Sequence, residues 1–222
     1  MRSELKDHIH IYNRLNEYFG DLHWWPAETN DEILIGSILT QNTSWKNVEK
    51  AILALKEENM LSLPAIAGAN EEAIALRIRS SGFFRQKASR IKSIAATIVD
   101  QYGSIDAMQS LTTQDLADFF GGLKGIGQET LDSILLYVFN RPVMVIDSYT
   151  RRIISRLDYP EEAGDAEIRE NALSDLMHSV GALKNYHACL VELGKRFCRK
   201  SPECAGCPLN SDCNYAMVLS SP

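Results

Sequence analysis

The sequence predicts an all-α protein, and three observations carry that expectation. Apolar residues recur at three- and four-residue spacing along most of the chain, and no set of alternating runs offers strands that could pair. A double-glycine turn, Leu123-Lys124-Gly125-Ile126-Gly127, separates two such helical patterns. Glycine at 125 and 127 suits a sharp turn whose exposed N–H groups can hold a phosphate, or whose backbone lets another chain come close.

In chain order, Leu5, Ile9, Tyr12, Leu15, Tyr18 and Phe19 form one face of a first helix that Gly20 closes. Trp24-Trp25-Pro26 then lies in a connection. One indole there can pack in the core while the other covers the surface, or the pair can make a stacking wall for a flat ligand. Asn30 or Asp31 can cap a helix through Ile33, Leu34, Ile38 and Leu39, which runs into Thr40-Gln41-Asn42-Thr43. Ser44–Leu55, with Trp45 at its start, Asn70–Arg79 and Gln86–Tyr102 give three more helices. Gly82 breaks the last two apart and exposes Phe83 and Phe84. Thr112 and Asp115 have capping-box spacing ahead of Leu116, Phe119 and Phe120, so a short helix precedes the glycine turn. After it, Leu131, Ile134, Leu135 and Val138 make a strongly apolar helix. Val143–Ile146 reads as a buried extended linker, and Asp147 as the cap of the helix carrying Ile153, Ile154 and Leu157. One helix runs from Asp165 through Val180 and another from Tyr186 to Phe197, with Cys189 packed on its apolar side.

With 222 residues and 45% hydrophobic content the chain can bury a full core. It has no apolar run of membrane-spanning length and its charged start is no secretory signal, so a cytoplasmic protein is expected. A net charge of -6 argues mildly against nucleic acid. Local distribution permits it, because Ala73–Val99 carries six basic residues and no acidic one, and Lys195, Arg196, Arg199 and Lys200 form a second group. Such runs are either solvated faces or a DNA surface.

Cys198, Cys204, Cys207 and Cys213 follow the spacing C-x5-C-x2-C-x5-C. Four thiolates joined by short loops can enclose one tetrahedral metal or a four-iron cluster. Zinc ribbons more often use two C-x2-C knuckles, and only one is present, which favours a [4Fe–4S] cluster over zinc.

The L-K-G-I-G turn, the downstream V-I-D-S-Y-T and the four terminal cysteines together resemble the helix-hairpin-helix DNA glycosylase superfamily, which includes endonuclease III and the adenine-mismatch glycosylases. The resemblance spans nearly the whole chain. It implies two helical domains, 30–139 with six helices and the hairpin, and 1–29 plus 140–222 with the cluster loop, and a DNA and base cleft between them. It implies further that Leu123, Lys124, Gly125, Ile126, Gly127 and Gln128 hold the DNA backbone, that Asp147 is catalytic, and that the four cysteines carry [4Fe–4S]. The first cysteine gap is one residue shorter than in endonuclease III. Bifunctional members carry a Schiff-base lysine two residues after the second hairpin glycine, and here that residue is Glu129, which cannot form an imine.

The segments W-W-P, L-T-Q-N-T, S-G-F-F-R-Q-K-A, G-I-G-Q-E-T and V-M-V-I-D-S-Y are similar to the 3-methyladenine DNA glycosylase III type. That branch implies a base pocket of Trp24, Trp25, Pro26 and Trp45, with Lys195 as the counterpart of a modified lysine. The expected partner is duplex DNA with a damaged base, met by a monomer in the nucleoid. Gln41, with Asn42 beside it, and Phe83 are candidates to fill the gap left by a flipped base. Indole faces attract a positively charged purine by about 0.5 to 2 kcal/mol each. Asp147 can cap a helix and also stabilise the oxocarbenium-like sugar. Glu129 can orient water or contact the base, or be a first-turn carboxylate facing the helix dipole. The expected activity is monofunctional release of alkylated purines. The alternatives are a glycosylase for oxidised pyrimidines or mismatched bases, and a non-catalytic iron–sulfur DNA-binding homologue.

Overall fold

A computed structural model describes residues 7–158 and 163–219. Helix α1 (His8–Phe19) begins where the Asp7 side chain accepts the Ile9 N–H and ends at Gly20, at φ 74°; Leu5, expected on its face, lies outside the described residues. Helix α2 (Asn30–Leu39) is capped by Thr29, not by Asn30 or Asp31. The Asp31 carboxylate instead accepts the Leu63 N–H at 2.8 Å. Helices α3 (Trp45–Glu57), α4 (Leu63–Gly68), α5 (Glu71–Arg77) and α6 (Phe84–Tyr102) follow. The short α4 was not expected; it forms because Ser62 caps it and Pro64 falls in its first turn, where a missing N–H costs nothing.

Helix α7 (Thr113–Gly121) opens with the expected capping box of Thr112 and Asp115. Helix α8 (Gln128–Ser133) passes into a wider π turn, Ile134–Val138. Helices α9 (Ser148–Leu157), α10 (Asp165–Asp175), α11 (Val180–Arg196) and α12 (Asn214–Leu219) complete the chain. The single helix expected from Asp165 through Val180 is broken. Met177 and His178 take φ of 50° and 54°, and Ser179 caps α11, which therefore starts six residues before Tyr186. No strand occurs among the described residues, and none of their helices is long and apolar enough to cross a membrane.

The chain divides into two units, one of Trp25–Phe139 and one of the segments flanking it. In the first, α4 and α5 pack on α6 through Ile91, Ile94, Ala95 and Ile98. After its acidic first turn helix α2 is apolar from Ile33 to Leu39 but for Ser37, and it packs against the π turn as the core of this unit. In the second unit α1 and α9 pack on α11. Its core contains a polar knot: His8 Nδ1 and the Tyr186 hydroxyl lie 2.8 Å apart, and the His8 backbone N–H donates to Asp175 at 2.8 Å.

Burial pushes the His8 pKa down to about 4, against a weaker opposing pull from Asp7. The unfolded chain binds this proton near pH 6.5 and the folded chain does not, so stability is full above that value and falls as pH drops from 6.5 towards 4. The expected loss is about 3 kcal/mol. Urea midpoints of the wild type should decline across that window, and His8→Gln should flatten the decline.

Candidate functional site

The glycine hairpin is tight for identifiable reasons. The Ile126 N–H donates to Leu123 O at 3.2 Å, Gly125 sits at φ 92°, and a Cβ at 125 would run into the Arg90 guanidinium. Only glycine meets both demands. Gly127 is extended at φ -90° and starts α8 without a side chain of its own to cap it. Lys124, Gln128 and Glu129 are exposed, Leu123 and Ile126 half-buried, and Gln128 donates to Asp132 at 2.9 Å.

Gln41 is brought to the hairpin rather than held out from it. Its Nε2 donates to Gly125 O at 3.1 Å and to Thr130 Oγ1 at 3.0 Å, and its Oε1 accepts from Arg90. The neighbouring Asn42 is exposed at φ 54°. Phe83 is 67% exposed at φ 47°, a left-handed conformation costly for an aromatic residue, and its ring projects outward. The acid-free basic stretch is largely engaged within the fold. Arg77 pairs with Glu58 at 2.6 Å, Lys92 donates to Ala69 O, and Lys87 is buried against backbone carbonyls.

An aromatic group lies in the same unit. Trp25 meets Trp45 edge-on at 5.2 Å and Tyr137 at 5.4 Å, and a Cβ at Gly36 would stand 3.2 Å from the Trp25 ring. Glycine on α2 thus lets an indole lie directly on the helix. Tyr137 was missed from sequence, where it reads as one member of an apolar run; the π turn, which no spacing rule forecasts, sets its direction. Pro26 is exposed. In the other unit, Lys195 Nζ lies 5.1 Å over the Trp24 ring and 3.8 Å from Glu192.

Asp147 is 9% exposed and caps α9, its Oδ1 accepting the Thr150 N–H at 2.7 Å. His187 Nε2 stands 3.8 Å from Asp147 Oδ2. Burial works against the Asp147 charge, yet His187 and Thr150 together outweigh it and hold the pKa below the ordinary Asp value. Nothing in the sequence singled out His187, because its partner is 40 residues away and only the packing of α9 on α11 joins them. That packing depends on Gly194, where a Cβ would strike the Tyr149 ring. Gly194→Ala should therefore cost about 2 kcal/mol through overpacking and shift the start of α9. A urea melt and an excision assay check the two effects.

Cys198, Cys204, Cys207 and Cys213 line one small cavity with Arg156 and Tyr215. Burial pushes the Cys207 thiol up to about 11, with the other three cysteines adding to it, and Cys213 is raised in the same way. Arg156 donates to Cys198 Sγ at 3.2 Å and to Arg199 O at 2.7 Å. Among the described residues no group of three or more His, Cys, Asp or Glu is drawn together tightly enough to hold a single ion. Four converging thiols can serve a metal ion or an iron–sulfur centre, since as thiolates they repel one another unless cations lie among them.

The profile of the HhH-GPD superfamily of base excision DNA repair proteins matches residues 35–178. A Methanocaldococcus jannaschii protein with the provisional name of a DNA repair glycosylase is 42% identical over 207 residues, 91% of this chain and 94% of that one. Endonuclease III of Thermotoga maritima is 30% identical over 192 residues, 82% of each chain. Among solved structures, H. pylori 3-methyladenine DNA glycosylase bound to 1,N6-ethenoadenine gives a TM-score of 0.74 at 28% identity, over 86% of this chain and 98% of that one. A non-covalent endonuclease III–DNA complex gives 0.79 at 21% identity, over 95% of each, a likeness of fold.

Proposed function

The chain belongs to the HhH-GPD superfamily of base excision DNA repair proteins and is a DNA glycosylase, and from that premise we propose that it hydrolyses alkylated purines such as 3-methyladenine out of duplex DNA without cutting the strand. The aromatic pair Trp25 and Trp45, backed by the buried Tyr137, carries this reading. Its electron-rich faces suit a flat cationic purine and have no hydrogen-bond pattern with which to select a neutral base. Similarity to a 3-methyladenine glycosylase that binds an enlarged adenine supports the same class.

In the proposed mechanism the exposed N–H groups of the Gly125–Gly127 turn hold the strand, and Phe83 enters the duplex as the base leaves the stack. One of the two perpendicular indole faces of Trp25 and Trp45 stacks the flipped base. Alkylation has already weakened the N-glycosidic bond, so a strong general acid is dispensable. Asp147, ionised and largely sheltered from water, stabilises positive charge on the sugar and steers the attacking water. Glu129 stands where a lyase would need an amine, so no imine forms. Cys198, Cys204, Cys207 and Cys213 would hold a [4Fe–4S] cluster, whose part is to fix the loop that follows α11.

The test is a lesion panel under single-turnover conditions. Release of 3-methyladenine, with no borohydride-trapped adduct, is expected. Release of oxidised pyrimidines or mismatched bases in its place would move the chain to the endonuclease III-like alternative that its 30% identity to the Thermotoga enzyme favours. Salt-sensitive binding with no excision at all would mark a non-catalytic homologue.

A further inference from the structure

Lys87 and Arg90 lie three residues apart on α6, and between them they reach three separate segments of one unit. Lys87 is 2% exposed, and its Nζ donates to Leu39 O at 2.8 Å and Ser81 O at 2.7 Å. Leu39 ends α2, two residues before Gln41, and Ser81 ends the turn two residues before Phe83. The Arg90 guanidinium fills the space a side chain at Gly125 would need and donates to Gln41 Oε1. Gln41 closes the set by donating to Gly125 O at 3.1 Å. Burial, assisted by the charge of Arg90, brings the Lys87 pKa down to about 8. A buried ammonium whose bonds go to two backbone carbonyls, and not to a carboxylate, fixes backbone position. Two of the segments so fixed contain non-glycine residues in the left-handed region, Asn42 and Phe83, which surroundings must hold in place.

We propose that Lys87 and Arg90 are positioning residues that lock the Gln41–Asn42 turn, the Gly82–Phe83 turn and the Lys124–Gly127 hairpin into one rigid three-pronged grip, and so govern base extrusion while contributing no phosphate contact of their own. The inference rests on the reading that these three segments meet the duplex. It reassigns part of the basic stretch from an electrostatic surface to an internal frame.

The experiment uses the full chain, the lesion it excises in the panel, and 2-aminopurine beside that lesion to report extrusion in an Asp147→Asn background. Lys87→Met and Arg90→Lys should each lower the single-turnover rate and the extrusion signal by about tenfold or more, a loss of positioning. Affinity for undamaged duplex should stay within about twofold, and the slope of log K against log salt should not change. Should Lys87→Met fail to fold, the half-buried Arg90→Lys decides alone. A salt slope reduced by about one phosphate would make these residues DNA contacts and overturn the proposal, as would wild-type rate and extrusion in the folded variants. Phe83→Ala separates the two readings. If it extrudes the base normally, the three segments are not the duplex grip. If it abolishes extrusion while the α6 variants do not, the frame alone is wrong.

Discussion

Asp147→Asn is expected to lower single-turnover excision by about a thousandfold, close to 4 kcal/mol of transition-state stabilisation, while leaving the melting temperature nearly unchanged. The substitution separates the helix cap from the proposed catalytic task of the same side chain. Asparagine keeps an oxygen for the Thr150 N–H, which Asp147 now caps at 2.7 Å, so the start of α9 survives. It removes the negative charge from a position 9% exposed, where a charge acts through little water and its field on a developing cation is strong. Asp147→Ala should add the loss of the cap, about 1 kcal/mol, to a similar loss of rate. Because the Asp147 pKa lies below the ordinary Asp value, protonation of this group should not slow the wild type anywhere between neutrality and pH 5. An Asn variant that excised at the wild-type rate would show that the carboxylate serves the helix only.

The elements that sequence disclosed are those governed by local rules. The Thr112–Asp115 capping box, the Gly125–Gly127 turn and the Asp147 cap each depend on residues within four positions of one another, and spacing alone identifies them. What spacing could not disclose is tertiary. Thr29 took the α2 cap because Asp31 was drawn to the Leu63 N–H. The break at Met177 and His178 has no glycine or proline to announce it; both side chains are exposed, and the turn is closed by backbone bonds from the Met177 N–H to Ser174 O at 3.0 Å and from the His178 N–H to Leu173 O at 2.9 Å. Trp25 and Trp45 were legible as aromatic residues in suspicious places, but neither Tyr137 nor, in the other unit, His187 was, since each gains significance from a partner far along the chain. Gln41 was singled out for its place in the chain, and the structure adds the partners of its amide. It sits after a helix end, as expected, and its amide donates to Gly125 O and Thr130 Oγ1.

The second large effect concerns the cysteines. Cys207→Ser is expected to remove the brown colour and the absorption near about 400 nm of a [4Fe–4S] protein, and to lower the melting temperature by about 10 °C. At neutral pH a Cys207 thiol held up at about 11 would stay protonated, and its neighbours push it in the same direction. Bound iron would reverse that preference, so assembly of a centre would couple to ordering of the loop. The loop in turn is held to α9, because Arg152 donates to Cys198 O at 2.8 Å and Arg156 to Cys198 Sγ and Arg199 O while lying 5.1 Å over the Tyr215 ring. Loss of the centre should therefore loosen the C-terminal part of α9. The opposite end, at Asp147, keeps Thr150, His187 and the Tyr149 contact with Gly194, so the rate at low temperature should fall by no more than about threefold. Metal analysis decides the identity of the centre. Four irons per chain with colour fit the cluster, one colourless zinc would replace it, and four thiols of the purified wild type open to a thiol reagent would remove both.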